Sequence, residues 1–425
     1  MQGFAQKDGE LYCEGVALSK LAERHGTPLY VYSKAALLGR LAELQEAFAP
    51  ANPLICYSIK ANSNLGILRL LTRHGSGVDI VSGGELFRAI RAGVAPEKIV
   101  FAGVGKTPED IREAIRQGIR MFNAESEPEL EAANRAAAEL GRRATVALRV
   151  NPNVNARTHA KTTTGRKENK FGIALPHAFD IFTQTRQYPN LDINGIHLHL
   201  GSPIYTVEPY VSALRKMKSF VRDLRRAGVA LRSINIGGGY CISYDGREVI
   251  RPSDYATEIL PAVKELDLEL ILEPGRFIVG NSGVLLSRVV YVKEGWAGRR
   301  FVILDAGMND LIRPAMYDSY HHIWPARGAT SPLAGGRMTA RQEAALETVD
   351  IVGPICETSD CFGRQRRVPP MKSGDTAVIF SAGAYGMSMS SNYNSRPRAA
   401  EVLVSGTRAT VIRKRETYED VIRGE

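Results

Sequence analysis

The chain has 425 residues, enough for more than one hydrophobic core, and its 44% hydrophobic and 24% charged residues are ordinary for a globular protein. The formal net charge of +10 comes from basic residues spread along amphipathic stretches such as LRKMKSFVRDLRRAG (214–228). No Arg/Lys tract is interleaved with aromatics, so nucleic acid is not an expected partner.

No apolar run is long enough to cross a bilayer, and the polar opening MQGFAQKDGELYCEG has no signal-peptide core. A membrane partner is therefore not expected, and the cytoplasm is the expected compartment. Cys13, Cys56, Cys241, Cys356 and Cys361 form no CxxC pair and no metal-ligand spacing with histidine. They are expected to be reduced thiols, with no metal.

In chain order, TPLYVYS (27–33) is strand-like and is expected to join a later β-rich region. From 54 to 273, short β-rich runs alternate with helical runs. The expected strands are 54–59, 78–82, 98–102, 121–124, 144–150, 193–200, 232–237 and 268–273. Between them, TPEDIREAIRQG places Thr107 as a helix cap, Pro108 in the first turn and Gly118 at the stop. EPELEAANRAAAELG and PHAFDIFTQTRQ carry apolar residues at helical spacing.

Eight strands alternating with helices predict an α/β fold, a (β/α)8 TIM-like barrel. An open doubly wound sheet would normally carry its phosphate loop after the first strand, and none stands there. After Gly280 the texture changes to short strands with Gly or Asp turns, such as RFVILDAG, DTAVIFS and AEVLVSG. The expected division is an N-terminal segment 1–33 contributing to the β domain, a barrel over 34–279, and a C-terminal β-rich, β-barrel- or sandwich-like domain over 280–425.

Reactive groups of such a barrel sit where strands end. The strand ends here carry Lys60, Asp79, His197, His199, the run Gly237–Gly238–Gly239, and Glu273. Each alone has an ordinary explanation: a solvated lysine, a packed histidine, a sharp turn, a carboxylate paired with Arg276. Together they offer what one ligand needs. A lysine amine condenses with an aldehyde, glycine N–H groups surround a phosphate, a carboxylate keeps a heteroaromatic nitrogen protonated, and an imidazole lies flat on a ring. Pyridoxal 5'-phosphate uses all four. INIGGGYCISYDG lacks the G-x-G-x-x-G of a dinucleotide site.

With these residues in place, the chain resembles the group IV, alanine-racemase-like pyridoxal-phosphate decarboxylases, on the branch that acts on meso-2,6-diaminopimelate. The resemblance covers about residues 25–415 and rests on nine ordered motifs. They are YSIKANSN, VDIVSGGEL, NPNVNARTHAKTTTGRKENKFGI, GIHLHLGS, NIGGGY, EPGR, DAGMNDLIRPAMYDSYH, GPICETSDCF and SAGAYGMSMSSNYNSRPR. One departure is Pro203, where the family usually has Gln after HLHLGS.

The resemblance implies that Lys60 holds pyridoxal phosphate and that His199 stacks on its ring, with His197 structural. Asp79 joins the cofactor-binding set. Ser202, Gly237, Gly238, Gly239, Gly275 and Tyr385 surround the phosphate, while Glu273 pairs with the ring nitrogen. Arg276, Arg313 and Tyr317 contact substrate carboxylates, with Arg276 and Tyr385 able to serve both cofactor and substrate. Glu357 contacts the distal amino group and Cys356 donates the final proton. Both reach a neighbouring subunit's site, so a homodimer is implied.

The implied reaction is decarboxylation of meso-2,6-diaminopimelate to L-lysine and CO2. Meso-diaminopimelate carries a carboxylate at each end, and Arg313 is a bidentate cation suited to the distal one. Relatives acting on ornithine, arginine or carboxynorspermidine share the cofactor shell, and a non-catalytic binding relative would keep only the fold.

Overall fold

The computed structural model describes residues 1–155 and 170–425. The central part of NPNVNARTHAKTTTGRKENKFGI, residues 156–169, lies outside the described residues.

Eight short strands rich in aliphatic residues are each followed by a turn out of the sheet. They are β1 Leu54–Ser58, β2 Gly77–Ile80, β3 Ile99–Phe101, β4 Met121–Ala124, β5 Ala144–Asn151, β6 Leu191–His197, β7 Ser233–Asn235 and β8 Glu269–Leu272. Each pairs in parallel with the next, and β8 closes on β1 through Ile271–Leu54 and Leu272–Ile55. This closed parallel sheet is the expected (β/α)8 barrel. β1 stops at Ser58 because Ile59–Ala61 winds into one 3-10 turn. β7 stops at Asn235, two residues before Gly237 adopts a φ of +72°.

Among the described residues, seven α-helices separate the strands: α1 Leu65–Arg73, α2 Gly83–Ala92, α3 Pro108–Gln117, α4 Glu127–Glu139, α5 Leu175–Thr183, α6 Glu208–Arg226 and α7 Pro252–Leu266. The caps read from sequence hold at α3. Thr107 and Asp110 form a reciprocal capping box, and Gly118 ends the helix in the left-handed region.

Period-two alternation sets the barrel interior. Cys56, Val100, Met121, Ala147 and Ile271 pack together as an apolar plug. Two residues further along their strands stand Ser58, Asn123, Arg149 and Glu273, which form a polar layer at the C-terminal mouth. The barrel is therefore filled below and chemically equipped above.

The chain divides into two compact units, one of Leu41–Cys241 with Val249–Phe277, the other of Met1–Arg40, Ile242–Glu248 and Ile278–Glu425. The second is built on a mixed sheet whose long strand Gly283–Glu294 pairs antiparallel with Leu29–Ser33, Arg300–Leu304 and Thr376–Ile379. Leu29–Ser33 also pairs in parallel with Ala400–Ser405. Its core gathers Phe4, Leu11, Val31, Val284, Trp324 and Phe380. Among the described residues, no helix is long and apolar enough to cross a membrane.

His322, in this second unit, stacks on Trp324 at 5.0 Å and lies 5.5 Å from Phe380. Burial, reinforced by Arg366, pushes its imidazole down to about 4 from an ordinary 6.5. Between those values the unfolded chain binds more protons than the folded one, so stability is lost as pH falls through that window. His322→Phe is expected to remove about 1–2 kcal/mol of the stability lost between pH 7 and pH 5. Urea unfolding at the two pH values checks this, and an unchanged pH loss contradicts it.

Candidate active site

Lys60 follows β1 directly, so its side chain rises from the C-terminal rim. Nζ lies 2.8 Å from Asp79 Oδ2, which also accepts a 2.7 Å hydrogen bond from Ser58 Oγ. Lys60 keeps 35% of its side-chain exposure while Asp79 has none, so the lysine reaches outward from a buried counter-charge. Burial, and then the neighbouring Glu273, raise the Asp79 carboxyl above its usual range, against the pull of Lys60.

Glu273 stands one residue beyond β8 and is buried. Its Oε1 accepts from Asn123 Nδ2 of β4 at 3.0 Å and from Asn235 Nδ2 of β7 at 2.6 Å. Its Oε2 faces His197 Nε2 of β6 at 3.2 Å, an arrangement that requires the proton on Nε2. Burial alone would raise this carboxyl. The charge and hydrogen bond of His197, followed by the charge of Lys60, outweigh it and hold Glu273 well below the usual carboxylate range. The two buried carboxyls are thereby separated: Glu273 is a fixed anion, and Asp79 takes up a proton more readily.

His199 leaves β6 two residues after His197. Its Nδ1 accepts from the Gly238 N–H at 3.4 Å. Burial, then Arg149 and Lys60, push its imidazole well below the ordinary value, so it is a neutral, flat ring at the rim. Arg149 is itself paired with Glu125 at 2.8 Å, both nearly fully buried.

The glycine run after β7 leaves no room for side chains. A Cβ at Gly238 would lie 2.0 Å from the Glu273 carbonyl oxygen, and one at Gly237 would lie 2.5 Å from that of Leu198. At Gly239 it would meet the Gly201 carbonyl at 2.5 Å, with φ at +110°. Gly275 packs against Ser58, where a Cβ would come within 3.0 Å of the serine Cβ. Arg276, also buried, donates from Nε to Ser202 Oγ at 3.2 Å.

Lys60, Asp79, His199, Ser202, Gly237–Gly239, Glu273, Gly275 and Arg276 are thus gathered in the barrel unit. A backbone-lined cradle, a fixed anion, a neutral imidazole and an outward lysine fit pyridoxal phosphate. Sequence reading missed Asn123, Asn235 and Arg149. A partial signal was present: each is a polar residue that follows a buried apolar residue near the C-terminal end of its strand.

The remaining expected residues belong to the second unit. Arg313 opens the short helix Arg313–Tyr317, is buried, and donates from Nη2 to Ser319 Oγ at 3.0 Å. Its guanidinium lies 5.9 Å from the rings of Tyr317 and Tyr385 and 5.4 Å from that of Tyr244. Tyr244 was not foreseen. Cys356 and Glu357 form a separate, exposed pair. Glu357 accepts from Tyr393 Oη and, at 2.8 Å, from Ser359 Oγ. Cys356 Sγ lies 3.5 Å from Asn394 Oδ1. By contrast, Cys13, Cys56 and Cys241 are buried, and burial pushes each thiol up.

Residues 34–280 match the pyridoxal-binding domain of the pyridoxal-dependent decarboxylases. The diaminopimelate decarboxylase of Pseudomonas fluorescens is 46% identical over 100% of this chain and 99% of its own length. Among solved structures, diaminopimelate decarboxylase from M. jannaschii in co-complex with L-lysine superimposes with a TM-score of 0.92 at 39% identity. It covers 99% of this chain and 97% of that one. The Helicobacter pylori diaminopimelate decarboxylase complexed with L-lysine gives 0.88 at 40% identity, covering 95% and 98%.

Proposed function

The chain belongs to the diaminopimelate decarboxylases, within the pyridoxal-dependent decarboxylases, and on that premise we propose its reaction and the roles of its residues. It removes one carboxylate of meso-2,6-diaminopimelate, at the D-centre, and releases L-lysine and CO2. The observation that carries this reading is the Glu273 anion, fixed by Asn123, Asn235 and His197 beside the Lys60–Asp79 pair.

Pyridoxal phosphate, when bound, supplies an aldehyde that takes up amines and a cationic ring that accepts the electron pair left by departing CO2. Lys60 Nζ is the amine that holds it between turnovers, and Asp79 balances the lysine's charge when Nζ is protonated. Glu273, held anionic by His197 and Lys60, keeps a proton on the ring nitrogen. His199 presents a neutral face to the ring, while the glycine run, Ser202, Gly275, Arg276 and Tyr385 receive the phosphate.

In the substrate, the bond between the α-carbon and its carboxylate breaks, and CO2 leaves without the bonding pair. Cys356 Sγ then delivers a proton to that carbon, replacing the carboxylate with hydrogen. Arg313 and Tyr317, with Arg276, bind carboxylates, and Glu357 binds the distal ammonium. Clustering of Tyr317, Tyr385 and Tyr244 around Arg313 supports a preorganised guanidinium that loses little freedom on binding.

Cys356 and Glu357 act in the site of a second copy of the chain, so the working form is a homodimer. Their exposure on one protomer supports this, as does their tethering to Tyr393 and Asn394 rather than to the Arg313 cluster. The enzyme acts in the cytoplasm.

A substrate panel tests the reaction. Protein loaded with pyridoxal phosphate is expected to release CO2 from meso-diaminopimelate and, at comparable concentration, negligibly from ornithine, arginine or lysine. Preferential release from ornithine overturns the specificity. Mixing inactive Lys60→Ala and Cys356→Ala dimers tests the shared site. Hybrid dimers are expected to recover about a quarter of wild-type activity, since random exchange makes about half the dimers hybrids with one intact site each. No recovery after demonstrated subunit exchange contradicts it.

A further inference from the structure

The glycine run is held from beneath by a buried aromatic cluster that the reaction itself does not use. Tyr210, in the first turn of α6, is 2% exposed and donates its hydroxyl to the Gly238 carbonyl at 2.5 Å. Its ring stacks at 6.0 Å on Tyr240 and meets Tyr255 edge-on at 5.7 Å. Tyr255 in turn donates to the Ile204 carbonyl at 2.6 Å, and the Ile204 N–H donates to the Gly239 carbonyl at 2.8 Å.

Both peptide planes flanking Gly239 are therefore fixed at their carbonyls, one by Tyr210 and the other by Ile204. The Gly238–Gly239 peptide is trans, so its N–H points opposite to the carbonyl that Tyr210 holds. Among the described residues, the Gly239 N–H has no hydrogen-bond partner. A Cβ on Gly239 would meet the Tyr210 hydroxyl at 2.8 Å, so the absence of a side chain there makes room for this contact as well as for a ligand. Tyr240 marks a contrast within the same cluster, since its hydroxyl has no partner among the described residues.

We infer that Tyr210 is a positioning residue for phosphate binding: its hydroxyl locks the Gly238–Gly239 peptide with the Gly239 N–H turned toward the cofactor's phosphate. This rests on the pyridoxal-phosphate reading above. Left unheld, a glycine peptide samples many orientations, and aiming its N–H at the phosphate would cost binding free energy. Tyr210 meets that cost during folding.

The test compares two ligands that share ring and aldehyde and differ only in the phosphate. Apoprotein is titrated with pyridoxal phosphate and with pyridoxal, and binding is followed by absorbance. Tyr210→Phe keeps the ring packing and is expected to weaken pyridoxal phosphate about tenfold while shifting pyridoxal less than about twofold. Tyr240→Phe is expected to bind both ligands as the wild type does. Equal weakening of both ligands by Tyr210→Phe, or none, overturns the positioning role while leaving the cofactor reading intact. A wild-type protein that does not prefer the phosphorylated ligand overturns the cofactor reading itself. Should Tyr210→Phe fail to fold, amide exchange in wild-type apoprotein decides. Inorganic phosphate is expected to slow exchange at Gly239 selectively, and unchanged exchange overturns the proposal.

Discussion

A carboxylate sealed into a barrel mouth costs several kcal/mol unless its oxygens are met. Glu273 is met three times, by Asn123, Asn235 and His197, from three different strands. That requirement fixes the relative register of β4, β6, β7 and β8, because a slip of one residue would turn each of these side chains out of the interior. The apolar plug below them, from Cys56 to Ile271, supplies the burial that makes the demand strict. Fold and site are therefore one constraint seen at two depths of the same barrel.

The same constraint divides labour between two acids. Asp79 is as deeply buried as Glu273 but has Lys60 and Ser58 as partners on one oxygen, while Oδ1 has none among the described residues. Its carboxyl is raised and that of Glu273 lowered, although Lys60 pulls both down. What separates them is their further neighbours: Glu273 faces His197, whereas Asp79 faces the Glu273 anion on top of its burial. A permanent anion beside a lysine whose charge comes and goes is the electrostatic setting that an amine-holding cofactor requires.

Much of this was legible in the sequence, for identifiable reasons. Strand and helix periodicity gave the barrel, and strand ends gave Lys60, Glu273, His199 and the glycine run, because β–α boundaries carry strong local signals. Asn123, Asn235 and Arg149 were passed over because their importance lies in facing inward beside one another, which depends on register between strands far apart in sequence. His197 is expected from sequence to be structural, and in the fold its Nε2 faces the Glu273 carboxylate. Tyr210 carries no signal of its own, since nothing in sequence shows that its hydroxyl reaches a glycine carbonyl. Tyr244 was hidden for another reason: it lies within Ile242–Glu248, a short stretch that leaves the barrel unit for the other.

The claim on which the account turns is that the charge of Glu273, rather than its shape, drives decarboxylation. Glu273→Gln keeps the volume and can still meet Asn123 or Asn235, but it carries no charge. The measurement is single-turnover CO2 release from meso-diaminopimelate by the loaded variant, beside its cofactor content. The account predicts near-normal loading with release slowed by about a thousandfold, the scale expected when a charge that stabilises the transition state is removed. Release within a few-fold of the wild-type rate, from an equally loaded variant, would contradict it.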